Sequence, residues 1–152
     1  MIRQTISHTA VIVGATGGIG SALVEAVYNS GRYSRVHAVS RTVYRGSAAI
    51  AAHSADVTDE PTIQQVAEAI AADGPVGLVI VASGMLHGTG ITPEKSLGAI
   101  DPTALVRLFA VNAIGPALIA KHFVPLLPKH GRSLFTVLSA RVGSIEDNRL
   151  GG

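Results

Sequence analysis

Val11-Ile12-Val13-Gly14-Ala15-Thr16-Gly17-Gly18-Ile19-Gly20 reads as a strand that runs into a glycine loop and on into a helix. Thr9 to Val13 is a short β-branched, apolar run, suited to a strand buried on both faces. From Ser21 onward, Ala22, Leu23, Ala26 and Val27 recur at helical spacing. Between them, four glycines in positions 14–20 leave backbone N–H groups free to face an anion. The helix N-terminus adds partial positive charge at the same spot. The glycines do not spell G-x-G-x-x-G. Gly14, Gly18 and Gly20 give G-x-x-x-G-x-G, while Gly14, Gly17 and Gly20 give G-x-x-G-x-x-G. A ligand-free tight turn is the competing reading, and the flanking strand and helix weigh toward a phosphate cradle.

At 152 residues the chain is long enough for one domain with a proper core. Only 14% of residues are charged and 47% are hydrophobic, which points to a well-buried sheet rather than a solvated bundle. No apolar run approaches the ~20 residues needed to cross a bilayer. Met1-Ile2-Arg3-Gln4 lacks the apolar segment of a signal peptide. The chain has no cysteine, so disulfides, thiol chemistry and cysteine-based zinc sites are excluded. A net charge of +2 is too small to argue for nucleic acid. None of the six histidines stands at H-x-x-x-H or E-x-x-H spacing, so no metal is expected. The composition is that of a soluble, cytoplasmic chain.

Asn29-Ser30-Gly31 stops the first helix, and Arg35 to Val39 forms the second strand. A site for NAD ordinarily places an acid about 20 residues past the glycines, on the ribose 2′-OH. Residues 26–55 hold no acid at all. Ser40-Arg41 stands in its place, with Arg45 close behind. A guanidinium there would neutralise and bidentately bond a 2′-phosphate; solvated surface arginines are the alternative. NADP is therefore expected over NAD. Ala48 to His53 is a weaker strand, leading to Asp56-Val57-Thr58-Asp59. Asp59 or Thr58 caps a helix that opens at Glu60-Pro61 and carries Ile63, Val66, Ala67 and Ile70 on its apolar stripe. Asp56 either accepts a hydrogen bond from an adenine amino group at the strand end or caps a turn.

Asp73-Gly74-Pro75 turns the chain into its clearest central strand, Val76 to Ala82. That strand leaves through Ser83-Gly84, where small residues let backbone approach a ligand closely. Met85 to Leu97 reads as a loop, with His87 on the surface. Asp101 at the N-cap and Pro102 at N1 open the longest helix, which extends to His122. Its stripe is Leu105, Phe109, Asn112, Pro116, Ile119 and Phe123. Asn112 needs a specific partner there, because an unpaired buried amide is costly. Pro116 has no N–H to bond the carbonyl of Asn112, so that carbonyl is left open and suited to holding a water; a kinked core helix is the alternative. Pro125 and Pro128 to Gly131 end the helix. Ser133 to Leu138 reads as another buried strand, ending in Ser139 to Ser144. Strands alternating with helices make an α/β fold: a Rossmann-type, doubly wound parallel sheet with helices on both faces. Ligands of such sheets bind beyond the carboxyl ends of the strands. Gly14–Gly20, Ser40-Arg41, Asp56, Ser83-Gly84 and Ser139 all fall there.

In these residues the chain resembles the short-chain dehydrogenase/reductase family, along nearly its whole length. The resemblance implies that residues 1–152 are a single NAD(P)-binding Rossmann domain. Gly14, Thr16, Gly17, Gly18, Ile19 and Gly20 look like the family's cofactor loop, and Asp56-Val57 like its adenine-contacting pair. Ala82, Ser83 and Gly84 occupy the place of its Asn-Ala-Gly element, with the asparagine missing. Asn112 looks like the catalytic asparagine whose main-chain carbonyl holds a water of the proton relay. Met85-Leu86-His87, Pro93 to Leu97 and Ser139 to Gly152 resemble the branch related to the C-factor cell-signalling protein. The family's catalytic serine stands three positions before a glycine at the end of the fifth strand. Counting back from Gly143 gives Ala140; Ser139 is one position early and Ser144 one past the glycine, and Ser139 is favoured. The family's base, the tyrosine of Tyr-x-x-x-Lys, has no counterpart. Tyr28, Tyr33 and Tyr44 are the only tyrosines, and none has a lysine four residues on. The chain looks truncated before that motif, with apolar surface left uncovered.

The implied function is NADP-dependent hydride transfer between nicotinamide and a carbonyl or alcohol. General acid–base help is worth roughly 10²–10⁴ in rate, so this chain is expected to be an inactive, cofactor-binding fragment. A non-catalytic dinucleotide-binding or signalling module is the alternative. The expected partners are a small carbonyl or alcohol substrate and further copies of the chain, paired through the Pro102–His122 helix as a homodimer or homotetramer. Neither nucleic acid nor a membrane is expected.

Overall fold

The computed structural model describes residues 6–143 and 146. Its centre is a parallel five-stranded sheet in the order β3-β2-β1-β4-β5. The strands are β1 Ile6–Val13, β2 Tyr33–Ser40, β3 Ala51–Ser54, β4 Val76–Val81 and β5 Leu134–Val137. The chain starts in the middle, winds outward through β2 and β3, then returns to the other side of β1, so the order reverses between β1 and β4. β1 can sit at the centre because it is apolar on both faces. Val11 and Val13 join one core with Val39, Val79 and Val81, while Ala10 and Ile12 join the other with Val36, Ala38 and Leu78. Helix α1 (Gly18–Asn29) covers the second core; α2 (Glu60–Ala71) and the long helix that follows β4 cover the first. The doubly wound α/β architecture expected from the sequence is the one the chain forms.

The α2 stripe of Ile63, Val66, Ala67 and Ile70 is buried as expected. Asp59 stands at its N-cap, but the side chain makes no capping bond. The Thr62 hydroxyl closes that end instead, donating to the Asp59 carbonyl at 2.8 Å. On α1 the inward residues are Gly20, Leu23, Val24 and Val27, while Ala22 and Ala26 face solvent. Alanine marks a helix face poorly, and Val24 was the stronger marker. The strict alternation of strand and helix fails once, since residues 41–50 join β2 to β3 without a helix. Ile50 from that loop fills the second core.

The long helix runs from Pro102 to Phe123 in three parts: α3 Pro102–Phe109, a π-helical turn Ala110–Ile114, and α4 Gly115–Phe123. Asp101 caps it by accepting the Thr103 N–H at 2.9 Å. In the π-turn the Gly115 N–H reaches back to the Ala110 carbonyl, one residue farther than in an α-helix. Pro116 supplies the reason, since it offers no N–H to continue the α pattern. The extra residue rotates the stripe. α4 buries Gly115, Pro116, Ile119 and Phe123, and α3 buries Ala104, whereas Phe109 and Asn112 are exposed rather than inside. With the turn Val124–Leu126 the helical run reaches 25 residues, long and apolar enough by length and composition to cross a bilayer. That corrects the expectation that no apolar stretch is so long. In this fold its α4 portion packs on the first core and is tied to α2: Lys121 Nζ donates to Glu60 Oε1 at 2.6 Å, and His122 Nε2 lies 2.8 Å from the same oxygen.

Two features of the sheet depart from simple burial. β5, expected to be buried, pairs with β4 alone, and Leu134, Val137 and Leu138 are 54%, 40% and 42% exposed. On β2, by contrast, a histidine is fully buried. His37 Nδ1 and His53 Nε2 share a hydrogen bond at 3.0 Å, and Asp73, itself paired with Arg35 at 3.4 Å, lies 3.7 Å from His37 Nε2. Burial, reinforced by His53 and Arg35 against the opposing pull of Asp73, lowers the His37 pKa from 6.5 to about 4.

Candidate functional site

β1 is pinned on both sides where it ends. Gly14 and Ala15 donate their N–H groups to the Val39 carbonyl at 2.8 and 3.2 Å, and Ala82 donates to the Val13 carbonyl at 2.8 Å. Gly14 turns the chain with φ +85°, and a Cβ on it would lie 2.6 Å from the Ser83 nitrogen. Both facts demand glycine. The Gly17 N–H closes the loop on the Gly14 carbonyl at 3.1 Å. Gly17 is the N-cap of α1, with no side-chain cap bond and no acid in the first turn. The first-turn amides therefore have neither a helical acceptor nor a side-chain one, at the positive end of the helix dipole. Gly20 serves packing, since a Cβ there would lie 2.0 Å from the Gly14 oxygen.

A cleft of about 680 Å³ opens at the carboxyl ends of the strands, over the reversal between β1 and β4. Gly14, Thr16 and Gly17 line it from the first loop; Ser40, Arg41 and Thr42 follow β2; Ala55, Asp56 and Val57 follow β3. The chain from Ala82 to Thr89, with Arg107 and Val111 of the long helix, forms the opposite wall. Of the expected cofactor residues, the cleft thus brings together Gly14, Thr16, Gly17, Ser40, Arg41, Asp56, Val57, Ala82, Ser83 and Gly84. Gly18, Ile19 and Gly20 belong to the first turn of α1 and do not line it; Ile19 is 66% exposed.

Several of these side chains already have defined work. The Ser40 hydroxyl donates to the Thr42 carbonyl at 2.6 Å, and the Ser54 hydroxyl donates to the Arg41 carbonyl at 3.1 Å. Ser40 thus shapes the loop, which leaves the exposed Arg41 side chain as the cation of that corner. Arg45 does not line the cleft. Asp56 Oδ1 accepts both the N–H and the hydroxyl of Thr58, at 2.9 and 2.7 Å. Partial burial raises its pKa, but the two Thr58 bonds and nearby Arg41 outweigh that and hold the carboxyl below its ordinary value. Asp56 therefore caps a turn and lines the cleft as well. The Ser83 hydroxyl is buried in the cleft wall with no hydrogen-bond partner among the described residues.

Asn112 is exposed, yet it has the specific partner its amide required. Its Oδ1 accepts the Met85 N–H at 2.7 Å, and its Nδ2 donates to the Met85 carbonyl at 2.6 Å. The side chain thus clamps the exit of β4 to the π-turn, and its own carbonyl precedes Pro116 by the helical interval of four. Ser139 is exposed at the carboxyl end of β5 and does not line the cleft. Leu138 donates to the Val81 carbonyl at 2.9 Å, which sets Ser139 on the same end of the sheet as Ala82 and Ser83. Ser144 lies outside the described residues. Sequence reasoning missed Thr42, Arg107 and Val111 as cleft residues and set His87 aside as surface. Arg107 reaches the wall because its Nη1 donates to the Thr89 carbonyl at 3.4 Å, a contact between helix and loop that no local spacing announces. Among the described residues no cluster of His, Asp and Glu is arranged to hold a metal.

The model of the short chain dehydrogenases matches residues 8–143. The chain belongs to the short-chain dehydrogenase family. Members of that family bind nicotinamide cofactors. (+)-Borneol dehydrogenase 1 of Salvia officinalis is 27% identical over 142 residues, which are 88% of this chain and 53% of that protein. The chain therefore spans about half the length of this curated relative. Among solved structures, a Burkholderia multivorans short-chain dehydrogenase/reductase with bound NADP superposes with a TM-score of 0.80 at 22% identity, covering 95% of this chain and 64% of that one. The NADPH-bound carbonyl reductase from chicken fatty liver gives 0.67 at 18% identity, covering 79% and 51%. At such identities the likeness is one of fold.

Proposed function

We propose that this dehydrogenase-family chain supplies the cofactor-binding part of an NADP-dependent oxidoreductase that interconverts a small carbonyl and its alcohol. The observation that carries this reading is the corner at Arg41. A guanidinium lines the cleft there, beyond β2, and no acid stands between residues 26 and 55 to bond a ribose 2′-OH. The remaining parts fit a dinucleotide as well: an uncapped helix start for the pyrophosphate, Asp56 for the adenine, and a cavity of suitable size. Gly18, Ile19 and Gly20 would contribute backbone amides rather than side chains. Ser83, with its unpartnered hydroxyl, would contribute a polar group to the wall. NADP and NADPH occur in the two structural relatives described above, and belong to those proteins.

When bound, the cofactor would supply the hydride. The chain's own share is binding and positioning: Asn112 holds the exit of β4 and offers its carbonyl to a water, and Ser139 stands at the sheet end beside it. No tyrosine in the 152 residues has a lysine four positions on, so the proton donor and its cationic neighbour are lacking. On this reading residues 1–152 bind cofactor and turn over carbonyls negligibly by themselves. We extend the same reading to a cytoplasmic location and to small-molecule rather than nucleic-acid or membrane partners. It includes self-association through α3, whose Val106 and Phe109 are 69% and 61% exposed. The test is calorimetric titration of the chain with NADPH and NADH. NADPH should bind at least about tenfold more tightly, and Arg41→Ala should erase that margin. Equal binding of both would remove the NADP assignment. Carbonyl reduction at an ordinary enzymatic rate by residues 1–152 would remove the inactive-fragment reading.

A further inference from the structure

The loop that carries Arg41 has no helix of its own, yet its first residues are held at two points. At its start, the Ser54 hydroxyl donates to the Arg41 carbonyl and the Ser40 hydroxyl to that of Thr42. Farther on, the Tyr44 hydroxyl donates to Glu25 Oε1 of α1 at 2.6 Å. The Tyr44 ring packs against the same core as Leu23 and Val27 of that helix. The loop folds back over the ring, since a Cβ on Gly46 would lie 2.3 Å from Tyr44 Cε1. A loop so anchored has its ordering cost met before any ligand arrives, which is how preorganisation raises affinity.

We propose that Tyr44 and Glu25 form a latch that positions the Arg41 loop for the phosphorylated ribose, making Tyr44 a positioning residue for cofactor selectivity. The proposal rests on the NADP reading above. Glu25 is otherwise an odd neighbour for such a loop. A carboxylate near a 2′-phosphate repels it, and Coulomb's law alone predicts tighter NADPH binding once that carboxylate is removed. The latch predicts the reverse, because the carboxylate acts chiefly as the acceptor that fixes Tyr44. The Glu25 bond also raises the Tyr44 pKa, keeping the hydroxyl protonated as a donor.

The experiment measures NADPH and NADH dissociation constants and melting temperatures for the full 152-residue chain and four variants. Tyr44→Phe and Glu25→Ala should each weaken NADPH about fivefold while changing NADH less than about twofold. Glu25→Gln keeps an acceptor oxygen and should recover most of the NADPH affinity. Tighter NADPH binding by Glu25→Ala overturns the latch in favour of simple repulsion. Equal losses for both cofactors, alongside a lowered melting temperature, mark the pair as structural only and overturn it too. If the wild-type chain prefers NADPH, Arg41→Ala abolishes that preference and Tyr44→Phe spares it, then the latch fails and the cofactor reading stands. A wild-type chain without the preference overturns both.

Discussion

On one side of the cleft, β1, β2 and β4 present Val11, Ile12, Val39 and Val79 with at most 1% of their surface exposed; on the other, β5 leaves Leu134 and Val137 at 54% and 40%. The residue types are the same. What differs is company: β1, β2 and β4 each have a strand on both edges, and β5 has β4 alone. The central strands also carry the rigid part of the site. Gly14, Arg41 and Ser83 follow central strands with a partner on each edge, whereas Ser139 follows an edge strand. Hydrophobic burial stabilises at roughly 25 cal/mol per Å² of apolar surface removed from water, so an apolar strand contributes only where neighbours remove its surface. The site's two halves therefore differ in how firmly they are held.

The sharpest way to break the well-held half is Gly20→Ala. The added methyl carbon would lie 2.0 Å from the Gly14 oxygen, a backbone atom that cannot yield without moving the loop. A loss of about 3 kcal/mol in denaturant unfolding is expected, together with loss of NADPH binding by calorimetry. An affinity and midpoint near wild type would show that the loop is not held as described.

Acid should act on the same half. His37 has a folded-state pKa of about 4, below its ordinary 6.5, so folding favours the neutral ring. The stabilisation is complete above pH 6.5 and is lost as pH falls from 6.5 through 4. The difference amounts to about 3 kcal/mol at most. Urea midpoints should drop across that window, and His37→Asn should flatten the drop. Hydrogen exchange should show the loosening in β2, β3 and the turn after α2, which carry Arg35, His53 and Asp73 beside the ring, rather than in β5. A pH slope unchanged by His37→Asn would assign the effect elsewhere.

The smallest effect compares the two kinds of strand directly. Val79→Ala removes two methyl groups from a site with no exposure and should cost about 2 kcal/mol. Val137→Ala, at 40% exposure, should cost about 0.5 kcal/mol or less. Equal costs would mean that something covers β5 in solution, and a concentration-dependent midpoint would identify it as another copy of the chain.

Much of this was legible in the residues because the signals are local. The β1–glycine–helix stretch, the α2 stripe, the Asp101-Pro102 start and the missing acid between residues 26 and 55 each rest on neighbours within a few positions. The readings that shifted depend on distant partners. Phe109 and Asn112 face outward on a long helix whose regular spacing is interrupted by the π-turn Ala110–Ile114. Arg107 entered the cleft through a loop eighteen residues away in sequence. Tyr44 found its acceptor on α1, and nothing in the spacing from Glu25 suggests it.

By itself the sequence determined the winding of the sheet, the glycine turn at its centre and the chemistry available at each strand end. Those follow from side-chain size, charge and periodicity, which every residue carries with it. Tertiary structure alone decided which apolar strand is buried, which face of the long helix turns inward, and how the Arg41 loop is held. Burial and hydrogen-bond geometry belong to pairs of residues brought together, and a linear pattern names only one member of each pair.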